Sequence, residues 1–171
     1  MTKFVGKRQH MEFDISQDIT FKYIASLSYH VDEVGLILKG HLFIEHLLDE
    51  IIRNKLKGWK DVLADHRTYS FAVKLQLVYS VGYLPEYLFQ NIRRINKLRN
   101  NVAHNLELVL DEQQFKFVRS DGKEILLIKK KKQQYPIRYY LKLLCFGTLT
   151  QLRNHFMLEF GELPCGPEIE L

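Results

Sequence analysis

The sequence predicts a mainly α-helical bundle of about five or six helices with an inserted β-hairpin. Of the 171 residues 46% are hydrophobic and 26% are charged, which is typical of a globular chain with a substantial buried core. Apolar residues recur at helical spacing through most of the chain, whereas one stretch around an Asp-Gly pair is rich in β-forming residues. Because no repeat, linker or change of composition divides the chain, we expect a single domain over residues 1–171.

The longest predicted helix begins after Asp32 and has apolar residues on most of its circumference. Asp32 is a suitable N-cap, and Gly58 is a suitable stop. Apolar side chains on so many faces indicate a central helix that packs on several sides. A shorter helix within residues 16–29 precedes it, and the predicted core extends from residue 16 to residue 160.

Two further helices are predicted before residue 105. Ser70 is the expected cap of the first, which ends at Gly82, and Pro85 suits the first turn of the second. The second helix has apolar residues at intervals of four, three, three and four, so one of its faces is expected to be buried. These residues are Leu88, Ile92, Ile95, Leu98 and Val102.

The pattern changes after residue 105. The stretch FKFVRSDGKEILLIKK contains two β-rich runs around Asp121-Gly122, which predicts a hairpin over about residues 114–129. Pro136 then opens a long apolar segment that suits a closing helix. The tail, residues 162–171, contains Pro and Gly, and we expect it to be loose.

The composition also indicates the cellular compartment in which the protein is expected. The two cysteines, Cys145 and Cys165, form no disulfide framework, which favours a reducing cytoplasm. The early positive charges have no apolar run behind them, so no secretory signal is expected. Charged residues interrupt the longest apolar stretches, so we expect a cytoplasmic protein without a membrane span.

The positive charge is concentrated in one region. Residues 93–142 hold 13 Lys/Arg against 5 Asp/Glu, a local excess that attracts a polyanion such as nucleic acid, although exposed lysines also serve solubility. The candidate nucleic-acid-binding residues are Arg93, Arg94, Lys97, Lys129, Lys130, Lys131 and Lys132. Nearby aromatic residues suit stacking on unpaired bases and equally suit the core. They are Phe115, Phe117, Tyr135, Tyr139 and Tyr140.

Motifs for metals and cofactors are missing from the sequence. His41, Glu45 and His46 lack the spacing of zinc-binding helices, and His41 with Glu45 fits a helix-surface or core pair better than a cation site. No phosphate-binding loop, dinucleotide fingerprint or serine-nucleophile elbow is found. We therefore expect neither a metal nor a cofactor.

The end of the helix after Pro85 carries the most informative cluster, Arg99-Asn100-Asn101-Val102-Ala103-His104. This set suits cleavage of a phosphodiester without metal, because His104 can exchange a proton near neutral pH and Arg99 can stabilise charge on phosphorus. Asn100 can orient the phosphate or the imidazole.

Helix geometry separates Arg99 from His104. Five residues at about 100° each place the two side chains about 140° apart, so they converge only through helix distortion, the reach of Arg99 or a second subunit. In the alternative interpretation Arg99 pairs with an acidic residue of the central helix, Glu45 or Asp49, and His104 caps the helix end.

The string LRNNVAHN, preceded by GHLFIEHLLDEII and SFAVKLQLVYSVGYL, resembles the HEPN superfamily of helical domains. The resemblance covers about residues 32–105 and is strongest to the family of the mannitol operon repressor. It implies a homodimer in which two Arg/His motifs face each other. In active members of the superfamily, the paired motifs form a metal-independent endoribonuclease site.

Carried over by position, the resemblance implies that Arg99, Asn100 and His104 form the catalytic set, with Asn101 beside them and Glu45 supporting Arg99. Attack by the ribose 2′-oxygen would leave a cyclic phosphate. A toxin or phage-defence role is implied, with a nucleotidyltransferase-like antitoxin as partner. The alternative is a non-catalytic transcriptional regulator or protein-binding adaptor.

Overall fold

The computed structural model describes residues 18–26, 32–104, 115–127 and 135–161, except for the side chain of His104. Within these ranges it contains six helices and one two-stranded hairpin, which confirms the predicted fold class. The elements are α1 (Ile19–Ser26), α2 (Glu33–Lys55), α3 (Trp59–Ala64), α4 (Phe71–Ser80), α5 (Glu86–His104), β1 (Lys116–Val118), β2 (Glu124–Leu126) and α6 (Ile137–Phe160).

Helix α2 lies at the centre, as predicted, and packs against the other five helices. Asp32 is its N-cap, with the carboxylate accepting from the Gly35 N–H at 2.7 Å. The helix ends at Lys55, before the predicted stop at Gly58, because Gly58 instead occupies the N-cap position of α3. Ten of its residues are buried, which explains the apolar pattern. They are Leu36, Ile37, Gly40, His41, Phe43, Ile44, Leu47, Leu48, Ile51 and Ile52.

Helices α2 and α6 approach each other closely at Gly40. A Cβ atom at this position would lie 2.8 Å from Cys145 Sγ and 3.5 Å from Tyr23 Oη, so only glycine fits without displacing α6. The buried rings and aliphatic chains around this contact belong to one continuous core shared by all six helices.

The hairpin pairs β1 and β2 antiparallel, with Phe117 opposite Ile125. Gly122 adopts a φ of +78° in the turn, as the Asp-Gly signal requires. The side-chain amide of Asn91, which is fully buried on α5, forms two hydrogen bonds with the backbone of β1, as a neighbouring strand would. It donates to the Val118 carbonyl at 2.7 Å and accepts from the Val118 N–H at 2.8 Å. The hairpin is therefore fixed to α5.

The aromatic residues around the basic region divide between core and surface. Phe115 and Tyr140 are buried, and Phe117 packs against Gly147 of α6. Tyr135 and Tyr139 are exposed. The lysines at 129–132 and the tail at 162–171 lie outside the described residues. None of the helices in the described ranges is long and apolar enough to span a bilayer.

Candidate functional site: an arginine pocket and a basic groove

Arg99 and Asn100 lie near the C-terminal end of α5. Leu98 is fully buried, so Arg99, its neighbour, lies at the edge of the core and is half-buried. Its Nη1 atom donates to Asn100 Oδ1 at 3.2 Å. Asn101 is also half-buried, and His104 is the last residue of the helix.

A pocket of about 300 Å³ lies between α2, α4 and α5. It brings together three of the predicted site residues, Arg99, Asn100 and Glu45, together with two histidines and an asparagine that motif matching did not identify. The first turn of α4 also lines it, and Ser70 makes no side-chain cap to this helix within the described structure. The lining residues are His41, Glu45, His66, Ser70, Phe71, Ala72, Asn96, Arg99 and Asn100.

Beneath the pocket, Lys74 of α4 is the partner of two acidic residues of α2, Glu45 and Asp49. Its Nζ atom lies 2.8 Å from Asp49 Oδ1 and 3.4 Å from Glu45 Oε1, and its side chain is only 1% exposed. The structure thus pairs Glu45 and Asp49 with Lys74, and within the described ranges neither carboxylate lies at ion-pair distance from Arg99. A sequence signal existed, because Lys74 lies on the apolar stripe of α4.

Arg99 consequently lies near two carboxylates whose ion-pair partner is Lys74. No carboxylate in the described ranges lies within ion-pair distance of its guanidinium. A guanidinium without a carboxylate partner at the wall of an open pocket has donors available for an anion.

His41 forms the inner wall of the pocket. Its ring stacks on Phe71 with centroids 3.9 Å apart, and its Nε2 atom lies 3.2 Å from Asn96 Oδ1. Its Nδ1 atom lies 3.9 Å from Glu45 Oε2. Burial is the main cause that lowers the pKa of His41, and the positive charge of Arg99 lowers it further, against the opposing effects of Glu45 and Asn96. The ring is therefore neutral at pH 7, with Nε2 donating to Asn96.

This burial predicts a pH dependence of stability. The unfolded chain protonates His41 near its ordinary pKa of 6.5, whereas the folded chain resists protonation. The contribution of His41 is therefore complete above about pH 6.5 and decreases as the pH falls toward the lowered pKa of the folded state. Urea unfolding measured between pH 7.5 and 5 should show a falling free energy of unfolding, and His41→Gln should flatten this slope. His66→Gln, an exposed histidine of the same pocket, is the matched control. An unchanged slope in His41→Gln would contradict the assignment.

A groove of about 620 Å³ runs along α5 beside the pocket. It contains the predicted basic residues Arg93, Arg94 and Lys97. Arg94 is paired with Glu124 of the hairpin, whereas Arg93 and Lys97 are exposed. Asn96 and Asn100 line both the groove and the arginine pocket, so the two adjoin along α5. The lining residues of the groove are Glu86, Phe89, Gln90, Arg93, Arg94, Asn96, Lys97 and Asn100.

Among the residues that the structure describes, no group of three or more His, Cys, Asp or Glu side chains is placed to hold a metal ion. Comparisons of the chain with protein-family models, with curated proteins and with solved structures found no significant match. The geometry alone therefore defines the class of this protein: a helical bundle whose helix α5 carries an arginine pocket beside a basic groove.

Proposed function

We propose that this protein is a metal-independent endoribonuclease of the HEPN type, which cleaves RNA at the Arg99 pocket. The observation that carries the proposal is the state of Arg99. Its guanidinium lines a pocket and has no carboxylate at ion-pair distance in the described ranges, and the two acidic residues nearby, Glu45 and Asp49, are paired with Lys74. Such a guanidinium is suited to bind the scissile phosphate through two N–H donors.

The proposed reaction uses Arg99 and Asn100 of the pocket together with His104 at the end of α5. The ribose 2′-oxygen attacks phosphorus and the bond to the 5′-oxygen breaks, which leaves a 2′,3′-cyclic phosphate and a 5′-hydroxyl. Arg99 stabilises the charge that develops on the non-bridging oxygens, and Asn100, bonded to Arg99, orients the phosphate. N–H groups in the first turn of α4 add donors on the facing wall. His104 takes the proton from the attacking 2′-hydroxyl and returns one to the leaving 5′-oxygen, which gives the 5′-hydroxyl.

A second copy of the chain completes the proposed site. Because about 140° of helix rotation separates Arg99 from His104, the two residues of one chain diverge. A homodimer in which two α5 ends face each other places His104 of each copy near Arg99 of the other. The active species in this proposal is therefore the dimer.

A non-catalytic regulator or protein-binding adaptor is the second candidate. It is favoured by an apolar pocket of about 330 Å³ between α1 and α6, away from Arg99. Exposed apolar side chains of this kind mark sites that bind other proteins. The pocket is lined by Ile24, Tyr139, Lys142, Leu143 and Phe146. In this function Arg99 and His104 would hold the dimer together.

Single-turnover cleavage of end-labelled structured and unstructured RNAs in EDTA separates the two candidates. The wild-type protein should cleave, and His104→Ala should be slower by at least about 100-fold, the usual contribution of a general acid or base. His66 also lines the pocket but has no assigned role, so His66→Ala should retain the wild-type rate. If the wild-type dimer leaves every RNA intact, the ribonuclease proposal fails and the adaptor function takes its place.

A further inference from the structure

The basic groove ends in an aromatic platform at Phe89. The Phe89 ring stacks on Tyr79 of α4 with centroids 4.1 Å apart and an angle of 18° between the planes. The Tyr79 hydroxyl donates to Glu86, which also accepts from Gln90 Nε2 at 2.7 Å. These contacts hold Phe89 in place: Tyr79 covers one face, part of the half-buried ring packs against the hydrophobic core, and the rest lines the groove. A fixed ring in a groove is a stacking surface for an unpaired base.

Between the platform and the arginine pocket lie two cations. Arg93 and Lys97 are one helical turn apart on the same face of α5, and both are exposed. Within the described part of the chain neither has a carboxylate at ion-pair distance. The acidic residue of the groove, Glu86, is engaged by Tyr79 and Gln90. The part of the groove that holds Arg93 and Lys97 therefore attracts phosphates, whereas Glu86 keeps its negative charge at the far end.

The distances suit a short strand. From Phe89 to Asn100 the helix rises about 16 Å, at about 1.5 Å for each residue. A stacked strand advances about 3.4 Å per nucleotide, so about five nucleotides fit between the platform and the pocket. Paired bases do not expose a face to an aromatic side chain within a duplex, which favours an unpaired strand over double-stranded RNA.

We propose that the α5 groove is the entry site for single-stranded RNA: a base stacks on Phe89, and Arg93 and Lys97 hold the phosphates that lead to Arg99. This inference rests on the proposed ribonuclease function and specifies its substrate as RNA that is unpaired on one side of the cleavage position. An acidic protein segment would use the cations but would gain nothing from the aromatic platform.

Binding of RNA that resists cleavage tests the groove independently of catalysis. The probe is a fluorescein-labelled 12-nucleotide 2′-O-methyl RNA of unstructured sequence, which lacks the attacking hydroxyl, and its duplex with the complementary strand. Fluorescence anisotropy should show tighter binding of the single strand than of the duplex. Phe89→Leu should weaken single-strand binding about tenfold, as expected for the loss of one stacked base. Phe21→Leu, at an exposed aromatic residue on α1, is the matched control and should have no effect.

The charges have their own test. Arg93→Glu with Lys97→Glu should weaken binding and reduce the dependence of log affinity on log salt by about two. Lys57→Glu with Lys60→Glu, two exposed lysines outside the groove and outside residues 93–142, is the control of equal charge. Because Phe89 is half-buried, Phe89→Trp provides a second measurement in which stacking is retained. Single-stranded RNA should quench its fluorescence beyond the change seen for Trp59 in the wild type.

The outcomes separate the two proposals. Equal affinity for single strand and duplex, wild-type binding by Phe89→Leu, or equally effective competition by polyglutamate would overturn the entry site, even if the protein cleaves RNA. Selective single-strand binding without any cleavage of unmodified RNA would uphold the groove and contradict the ribonuclease function.

Discussion

Arg99→Lys is expected to slow single-turnover RNA cleavage by about 100-fold or more. Lysine keeps the charge but lacks the planar fork that holds two phosphate oxygens, and it also breaks the contact with Asn100. Loss of one well-placed donor to a developing oxyanion costs about 10² to 10³ in rate. The rate is measured with end-labelled RNA in EDTA at saturating protein.

The same substitution should leave stability nearly unchanged, since Arg99 has no carboxylate partner in the described structure. A melting temperature close to that of the wild type therefore distinguishes a catalytic defect from misfolding. Arg53→Lys, at an exposed position of α2 outside the pocket and the groove, is the matched control and should cleave at the wild-type rate. Full activity in Arg99→Lys would contradict the role of a bidentate clamp.

Lys74→Met should lower the free energy of unfolding by about 3 kcal/mol, the lower end of the range for breaking a buried ion pair. Methionine fills the same space, but it leaves Asp49 and Glu45 beside each other without their common cation. The lower end applies because the two carboxylates remain about a quarter exposed, at 21% and 29%. Urea unfolding at pH 7 measures the change.

A triple variant tests the cause of that loss. Lys74→Met combined with Glu45→Gln and Asp49→Asn removes the unpaired charges, so most of the lost stability should return. Lys123→Met, at an exposed position in the hairpin, should change the free energy of unfolding by less than about 0.5 kcal/mol. If Lys74→Met behaves like Lys123→Met, the buried charge cluster does not contribute to stability as described.

The fold was accessible from sequence because its signals are local. The N-cap at Asp32, the stripe on α5 and the Asp-Gly turn each involve residues close together in the chain. Gly58 was assigned to the wrong helix end because a glycine between two helices suits the end of one and the beginning of the next. Arg94 is predicted to take part in nucleic-acid binding, but in the structure its guanidinium pairs with Glu124. The two residues are thirty positions apart, so the local pattern around Arg94 does not reveal this pair.

The sequence predicts only part of the candidate site. The motif on α5 identified Arg99 and Asn100, whereas the pocket depends on packing between α2, α4 and α5. The sequence pairs His41 with Glu45, one helical turn away. In the structure His41 also contacts Phe71 and Asn96, so its contacts join three helices. Lys74 lies on the apolar stripe of α4, which indicates burial but does not identify its partners. Such contacts come from tertiary structure, which neither spacing nor composition encodes.

The most direct test of the central claim is the chemical nature of the RNA ends after a single turnover in EDTA. We expect wild-type protein to leave 2′,3′-cyclic phosphate and 5′-hydroxyl ends, identified by mass, and Arg99→Ala of equal stability to leave the RNA uncut. Cleavage that persists in Arg99→Ala, or ends that carry a 5′-phosphate, would contradict cleavage by 2′-oxygen attack in the Arg99 pocket.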